Sequence, residues 1–177
     1  MSLKQHLESF FCDILELKEK KAKFYEDWAK KCDDSVGRDI LEVLKEAEIR
    51  DIERLKSAQE ELSKTNQWSS ACRYIPERVS IADAILQKVR QHHKKAGNIE
   101  CGSVKLPLDT GRELEEKAIA LFKKQLEIAQ DEDEKNFIEA FIAEEKEHLR
   151  LLADLKFYYE DPQGWLMEKG RGGLDGA

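Results

Sequence analysis

Hydrophobic residues recur at steps of three and four along two long stretches of the chain, a spacing that places them on one face of an α-helix. In the first stretch, a capping box at Ser2 and Gln5 predicts a helix that ends near Lys31 or Cys32. A second helix follows the short polar segment "DDSVG" and reaches about Ser63. Because the turn between them is so short, the two helices are expected to pack antiparallel.

The second stretch predicts another pair of helices. Thr110 and Glu113 form a capping box at the beginning of the third helix. The polar segment "QDEDEK" separates this helix from a fourth, which is expected from Asn136 to about Tyr159. The chain therefore contains two predicted helical hairpins.

The segment between the hairpins has a different pattern. Residues 64–109 combine the irregular part "TNQWSSACRYIPERV" with a predicted short helix in "SIADAILQKVRQHHKK" and a further irregular part. Asp161 and Pro162 predict the cap and first position of a helical turn before a Gly-rich ending. These patterns predict a single all-α domain, an antiparallel four-helix bundle. Its parts are hairpins at about 2–63 and 110–160, a long crossover at 64–109 and a tail at 161–177, which together make up residues 1–177.

Composition narrows the possible partners. Charged residues make up 38% of the 177 residues and hydrophobic residues 41%, which suits one helix-rich domain with a sizeable core. The net charge is -7 and basic residues are scattered among acidic ones, so neither nucleic acid nor an anionic membrane is an expected partner. A cation is a more natural one. The sequence shows no membrane-spanning apolar run and no signal-peptide pattern, so a cytoplasmic location is expected.

The segment "FIAEEKEHLRLL" carries the first candidate chemistry. Glu145 and His148 are three residues apart and share a helix face with Ile138, Phe141 and Leu152. The apolar neighbours indicate that this face points into the core. A buried carboxylate and a buried imidazole both need partners, and a metal ion is one such partner.

An internal repeat places similar groups on the other helices. A shift of 97 residues aligns "LELKEKKAKFY" with "RELEEKAIALF" and "LKEAEIRDIERL" with "FIAEEKEHLRLL" without a gap. The equivalent pairs are Glu48 with Glu145, Asp51 with His148, and Lys18 with Glu115. The stripe predicted on the first helix contains Phe11, Ile14, Lys18, Ala22 and Tyr25. Each of the four helices therefore carries at least one ionisable side chain in its apolar stripe.

This constellation resembles the ferritin-like di-iron proteins, most closely the rubrerythrin-like branch, in which two helices each contribute a Glu and two others each contribute Glu-x-x-His. The resemblance covers nearly the whole chain, including the ending "DPQGWLMEK", although these 177 residues contain no counterpart of the rubrerythrin iron-sulfur domain. It implies a ferritin-like bundle and a metal site. The implied ligands are Glu48, Glu115, Glu145 and His148.

Two positions depart from the family pattern. Lys18 stands where a ligand Glu is expected, and Asp51 stands where a ligand His is expected. In the family's geometry both positions serve the same metal, so the resemblance implies a partly degenerate site that holds one ion or none. Lys18 would then act as an internal counter-ion, and Asp51 is a less certain ligand. Iron is the implied metal, with manganese or zinc as alternatives for an oxygen-rich set with one imidazole.

Three functions remain open from the sequence. The first is a ferritin-like metal-binding protein with weak redox activity towards iron, oxygen or peroxide. The second is a metal-free helical structural or partner-binding module, in which the same side chains form a satisfied salt-bridge network. The third is a full di-iron oxidase or peroxidase in which Asp51 replaces the missing His.

Two further expectations concern the crossover. His92, His93 or Glu100 could complete a metal site, although "QHHKK" is more typical of a solvated helix end. A homodimer is expected from the resemblance and from the aromatic residues of "NQWSSACRYI", if these are exposed.

Overall fold

The computed structural model describes residues 3–76 and 107–171. All regular secondary structure in these two ranges is helical, which confirms the predicted all-α class. None of the described helices is long and apolar enough to cross a membrane. The elements are α1 (Leu3–Lys31), α2 (Ser35–Thr65), α3 (Trp68–Ala71), a 3-10 turn (Cys72–Tyr74), α4 (Leu108–Ile128), α5 (Glu132–Glu160) and α6 (Pro162–Arg171).

The four long helices pack in a bundle-like arrangement. Helix α1 packs along α2 and α4 packs along α5, and each pair is joined by a short turn, at residues 32–34 and 129–131. The two hairpins contact each other through α1 with α4 and through α2 with α5. Each long helix therefore has two long neighbours, and all four can direct side chains to a common centre.

The buried apolar residues form two separate clusters. On α1, Ile14 belongs to one cluster and Tyr25 to the other. On α2, Leu55 and Leu44 are divided in the same way. The stretch of each helix between the two clusters carries fully buried charged or titratable side chains. The charged side chains therefore lie between two apolar layers, one on each side along the helix axes, which shield them from water.

Aspartate side chains cap the N-termini of two of the long helices. Asp34 accepts hydrogen bonds from the backbone N–H of Val36 at 3.4 Å and of Gly37 at 2.7 Å, so α2 begins inside the segment predicted as a turn. The hydroxyl of Tyr159 donates to the same carboxylate at 2.8 Å. This contact links the first turn of α2 to the last turn of α5.

The predicted beginnings of the third and fourth helices are wrong. Helix α4 begins at Leu108, before the proposed capping box at Thr110. Pro107, whose ring fixes its φ angle, takes the N-cap position. Helix α5 begins four residues before Asn136. Its cap is Asp131. The negative charges of the acidic residues that follow stabilise the N-terminus of the helix, which is the positive end of the helix dipole.

The helical turn after the second hairpin is confirmed. Helix α6 begins at Pro162, and the side chain of Asp161 accepts a hydrogen bond from the backbone N–H of Gly164 at 2.9 Å. A proline at the first helical position loses no hydrogen bond, since that N–H has no partner inside the helix. The sequence motif and the structure therefore agree here.

The beginning of the crossover is more ordered than predicted. Trp68 opens α3 and is only 9% exposed, since its ring centre lies 5.4 Å from that of Phe137 and 6.5 Å from that of Phe11. The expectation that this aromatic residue is exposed for a partner is therefore wrong. The predicted crossover helix, together with His92, His93 and Glu100, lies outside the described residues, as does the Ser2 end of the first capping box.

The two helix caps give a test of this architecture. We expect Asp131→Ala to lower the free energy of unfolding by about 1 kcal/mol, the usual cost of losing a cap. Asp34→Ala should cost about 2–3 kcal/mol, because it also removes the acceptor of the Tyr159 hydroxyl. Urea denaturation of both variants measures the difference, and equal losses would contradict the link between α2 and α5.

Candidate functional site: a buried ion cluster

Seven ionisable side chains meet between the apolar layers, and all are fully buried. They come from all four long helices, so the structure brings together every site residue that the sequence placed in the two hairpins. It also adds one that the sequence analysis missed. The set, called the ion cluster below, is Lys18, Lys21, Glu48, Asp51, Glu115, Glu145 and His148.

Lys18 reaches carboxylates on two other helices. Its Nζ lies 2.6 Å from Oδ2 of Asp51 and 3.1 Å from Oε2 of Glu48, and it also contacts Oε1 of Glu145. The position of Lys18 therefore joins α1 to α2 and α5.

Lys21 is the residue that the sequence analysis missed. Its Nζ lies 2.7 Å from Oε1 of Glu48 and 2.6 Å from Oε2 of Glu115, and it contacts Oε2 of Glu145. The predicted stripe contained Ala22 in its place, yet Ala22 is only half-buried. A detectable signal was the alternation of three- and four-residue steps through positions 14, 18, 21 and 25, which marks a packed helix seam.

His148, a member of the ion cluster, and the neighbouring Tyr25 also contact its carboxylates. The Nδ1 atom of His148 lies 3.0 Å from Oε1 of Glu48 and 3.5 Å from Oε2 of Glu115. The hydroxyl of Tyr25 donates a hydrogen bond to Oε1 of Glu115. The Tyr25 ring lies in the core, as its position in the predicted apolar stripe requires, but the contact of its hydroxyl does not follow from that stripe.

Arg54 and Glu144 lie at the edge of the ion cluster. Nη1 of Arg54 is 3.3 Å from Oδ1 of Asp51 and 3.6 Å from Oε2 of Glu144. The side chains of Arg54 and Glu144 are 25% and 11% exposed, so this is where the ion cluster approaches solvent. Burial and the neighbouring Asp51 raise the pKa of Glu144 to about 7.

The buried cations hold most of the cluster in its charged form. Burial opposes the charge of Glu48, but Lys18 and Lys21 lower the pKa of this carboxyl to about 2. Burial also opposes a charged His148, yet Glu115 and Glu48 raise the pKa of this imidazole to about 10. At neutral pH, His148 is therefore the third cation of the ion cluster.

Glu145 is the carboxyl that can take up a proton most easily. Burial raises its pKa to about 8, and the attraction of Lys18 and Lys21 offsets this only in part. With three cations facing four carboxylates, one proton on this carboxyl brings the ion cluster close to charge balance. A balanced cluster suits a site that water does not reach.

Part of the ion cluster also has the composition of a metal site. Glu48, Glu115, Glu145 and His148 can each place one ligand atom so that all four atoms lie within 4.8 Å of one another. Three carboxylates and an imidazole suit a divalent first-row metal, so this set could hold a metal ion. The Lys21 ammonium, however, already contacts all three of these carboxylates.

No protein-family model matches this chain, and searches of curated proteins and of solved structures also give no match.

The pKa of His148 predicts how stability changes with pH. An unfolded histidine has a pKa of about 6.5, and in the folded protein the value rises to about 10. Folding is therefore favoured by the protonated imidazole, and this contribution is fully present below about pH 6.5 and lost as the pH rises through about 10. We expect imidazole NMR signals to show a charged His148 at pH 8.

Urea denaturation provides the control for this prediction. Between pH 7 and pH 10 the free energy of unfolding should fall in both proteins, since Glu145 also loses a proton there, and it should fall further for the natural chain than for His148→Gln, which lacks the imidazole proton. Equal losses in the two proteins, or a neutral imidazole at pH 8, would contradict the assignment of His148 as a cation.

Proposed function

We propose that this chain is a ferritin-like helical protein whose ion cluster works without a bound metal, and that it serves as a structural or partner-binding module. The observation that carries this proposal is that each of the four carboxylates of the ion cluster contacts the ammonium group of Lys18 or Lys21. The ferritin-like arrangement is supported by the two packed hairpins and by the meeting of repeat-related residues in one buried cluster.

The charge of the ion cluster explains why such lysines are needed. Removing an ion from water costs several kcal/mol even after the protein relaxes, so four neighbouring carboxylates require compensation. In the proteins that this chain resembles, metal ions supply the positive charge. Here Lys18, Lys21 and His148 supply it from the chain itself.

The expected role of the ion cluster is to fix the helix register. Buried ion pairs often add little stability compared with apolar packing, but they can select one arrangement of helices over others. Both lysines extend from α1, and their partners lie on α2, α4 and α5. A slip of α1 by one turn, about 5.4 Å, would separate these groups and leave them buried without partners.

Metal binding is a second candidate function. It is favoured by the convergence of four ligand atoms from Glu48, Glu115, Glu145 and His148 within 4.8 Å. One iron ion per chain, or manganese or zinc, would occupy this set after Lys21 has moved away, and weak redox activity towards iron, oxygen or peroxide would be the associated function. A homodimer and a cytoplasmic location remain expectations from the sequence for both candidates.

Elemental analysis distinguishes the two candidates. The protein is isolated without chelators, incubated separately with Zn(II), Mn(II) and, without oxygen, Fe(II), and then desalted. We expect far less than one metal ion per chain and no change in thermal midpoint on adding a chelator, because the carboxylates already have internal cations. About one ion per chain that is lost in His148→Ala would contradict the metal-free proposal and support metal binding.

Lysine substitutions test the structural role directly. Lys18→Met should lower the free energy of unfolding by about 3–5 kcal/mol, because it removes one of the buried cations that balance the four carboxylates of the ion cluster. Lys20→Met removes an exposed lysine two positions away and should change it by less than about 0.5 kcal/mol. Urea denaturation at neutral pH measures both values, and a loss for Lys18→Met as small as that of the control would contradict the role of the lysine.

A further inference from the structure

We infer that Lys18 and Lys21 occupy two distinct cation positions of one carboxylate-bridged site, and that removing the Lys21 ammonium turns its position into a binding site for a divalent cation such as Zn(II) or Mn(II). This inference deepens the proposed function, since it concerns the same ion cluster. The experiment below can contradict the inference about the Lys21 position without contradicting the metal-free proposal, and the reverse.

Two carboxylates are shared between the lysines. Glu48 directs Oε2 to Lys18 and Oε1 to Lys21, at 3.1 Å and 2.7 Å. Glu145 likewise directs Oε1 to Lys18 and Oε2 to Lys21. Two carboxylates that each use both oxygens on different cations are bridging groups, so the two ammonium groups occupy adjacent but separate positions.

The remaining carboxylates each belong to one position. Asp51 contacts Lys18 at 2.6 Å, and Glu115 contacts Lys21 at 2.6 Å. Each ammonium therefore has three carboxylate neighbours, two shared and one of its own. Lys18 donates hydrogen bonds to Asp51 and Glu145, Lys21 donates one to Glu145, and the other contacts are ion pairs.

The Lys21 position is the better one for a metal. Besides its three carboxylates it has His148 nearby, whose Nδ1 lies 3.0 Å from the Glu48 oxygen that contacts Lys21. Without the ammonium, and once a bound metal displaces the ring proton of His148, three oxygens and one nitrogen can converge within 4.8 Å, a four-ligand set of the size that zinc takes.

The Lys18 position lacks these features. Its neighbours are carboxylates only, and one of them, Asp51, also pairs with Arg54 at 3.3 Å. The guanidinium is a permanent positive charge close to this position, which opposes the binding of a dication. The two positions are therefore expected to respond differently when their lysines are removed.

The internal repeat indicates which substitution to make. The shift of 97 residues that relates the two hairpins pairs Lys21 with Ala118, which is also fully buried. On α4, alanine at this place leaves the neighbouring Glu115 free to face the centre of the ion cluster. Lys21→Ala gives α1 the same small residue and removes both the charge and the bulk that a metal must displace.

The experiment compares four proteins: the natural chain, Lys21→Ala, Lys21→Ala combined with His148→Ala, and the exposed-lysine control Lys20→Ala. Each is incubated with Zn(II) or Mn(II) and desalted, and its metal content and thermal midpoint are measured. We expect about one ion per chain in Lys21→Ala, bound at least about tenfold more tightly than in the natural chain or the double variant. Only Lys21→Ala should gain thermal stability on metal addition.

The result that overturns the inference is metal uptake by Lys21→Ala no greater than that of the natural chain, or equal uptake after His148 is also removed. If Lys21→Ala is unfolded without metal, recovery of its helical circular dichroism on adding Zn(II) or Mn(II) supports the inference, and no recovery with either ion overturns it. Metal uptake by the natural chain would overturn the metal-free proposal. The inference would still be decided by whether Lys21→Ala binds more metal than the natural chain.

Discussion

The contacts between two buried ammonium groups and four buried carboxylates determine the centre of this molecule. The apolar core is divided into two clusters, and the ion cluster lies between them on all four long helices. Helix α1 carries both lysines, and the other three helices carry the carboxylates. An unpaired charge in the core would be costly. These contacts therefore favour one axial register of the four helices.

Regular side-chain spacing is the part of this structure that the sequence predicts well. The helical class follows from the three- and four-residue steps of apolar residues, and an i, i+3 pair such as Glu145 and His148 must share one helix face. The 97-residue repeat extends the same reasoning to Glu48 on the other hairpin. The beginnings of α4 and α5 were harder, because they depend on which of several nearby polar residues caps the helix.

The burial of Lys21 was harder to predict, because the spacing of the helix seam had to outweigh the usual exposure of lysine. In the segment "KEKKAK" a lysine is normally solvated, and Ala22, one residue later, also fits an apolar stripe. Burial of Lys21 depends on Glu48, Glu115 and Glu145, which are brought to it by three other helices. The hydrogen bond from Tyr25 to Glu115 is similar, since ring burial follows from spacing but the hydroxyl's partner comes from the tertiary fold.

The most direct measurement is a crystal structure of the natural chain grown with Zn(II), with diffraction data collected at the zinc absorption edge. We expect the Nζ atoms of Lys18 and Lys21 to lie within hydrogen-bonding distance of the four carboxylates, with no anomalous peak among them. An anomalous peak between Glu115, Glu145 and His148, with the Lys21 side chain turned away, would contradict this expectation.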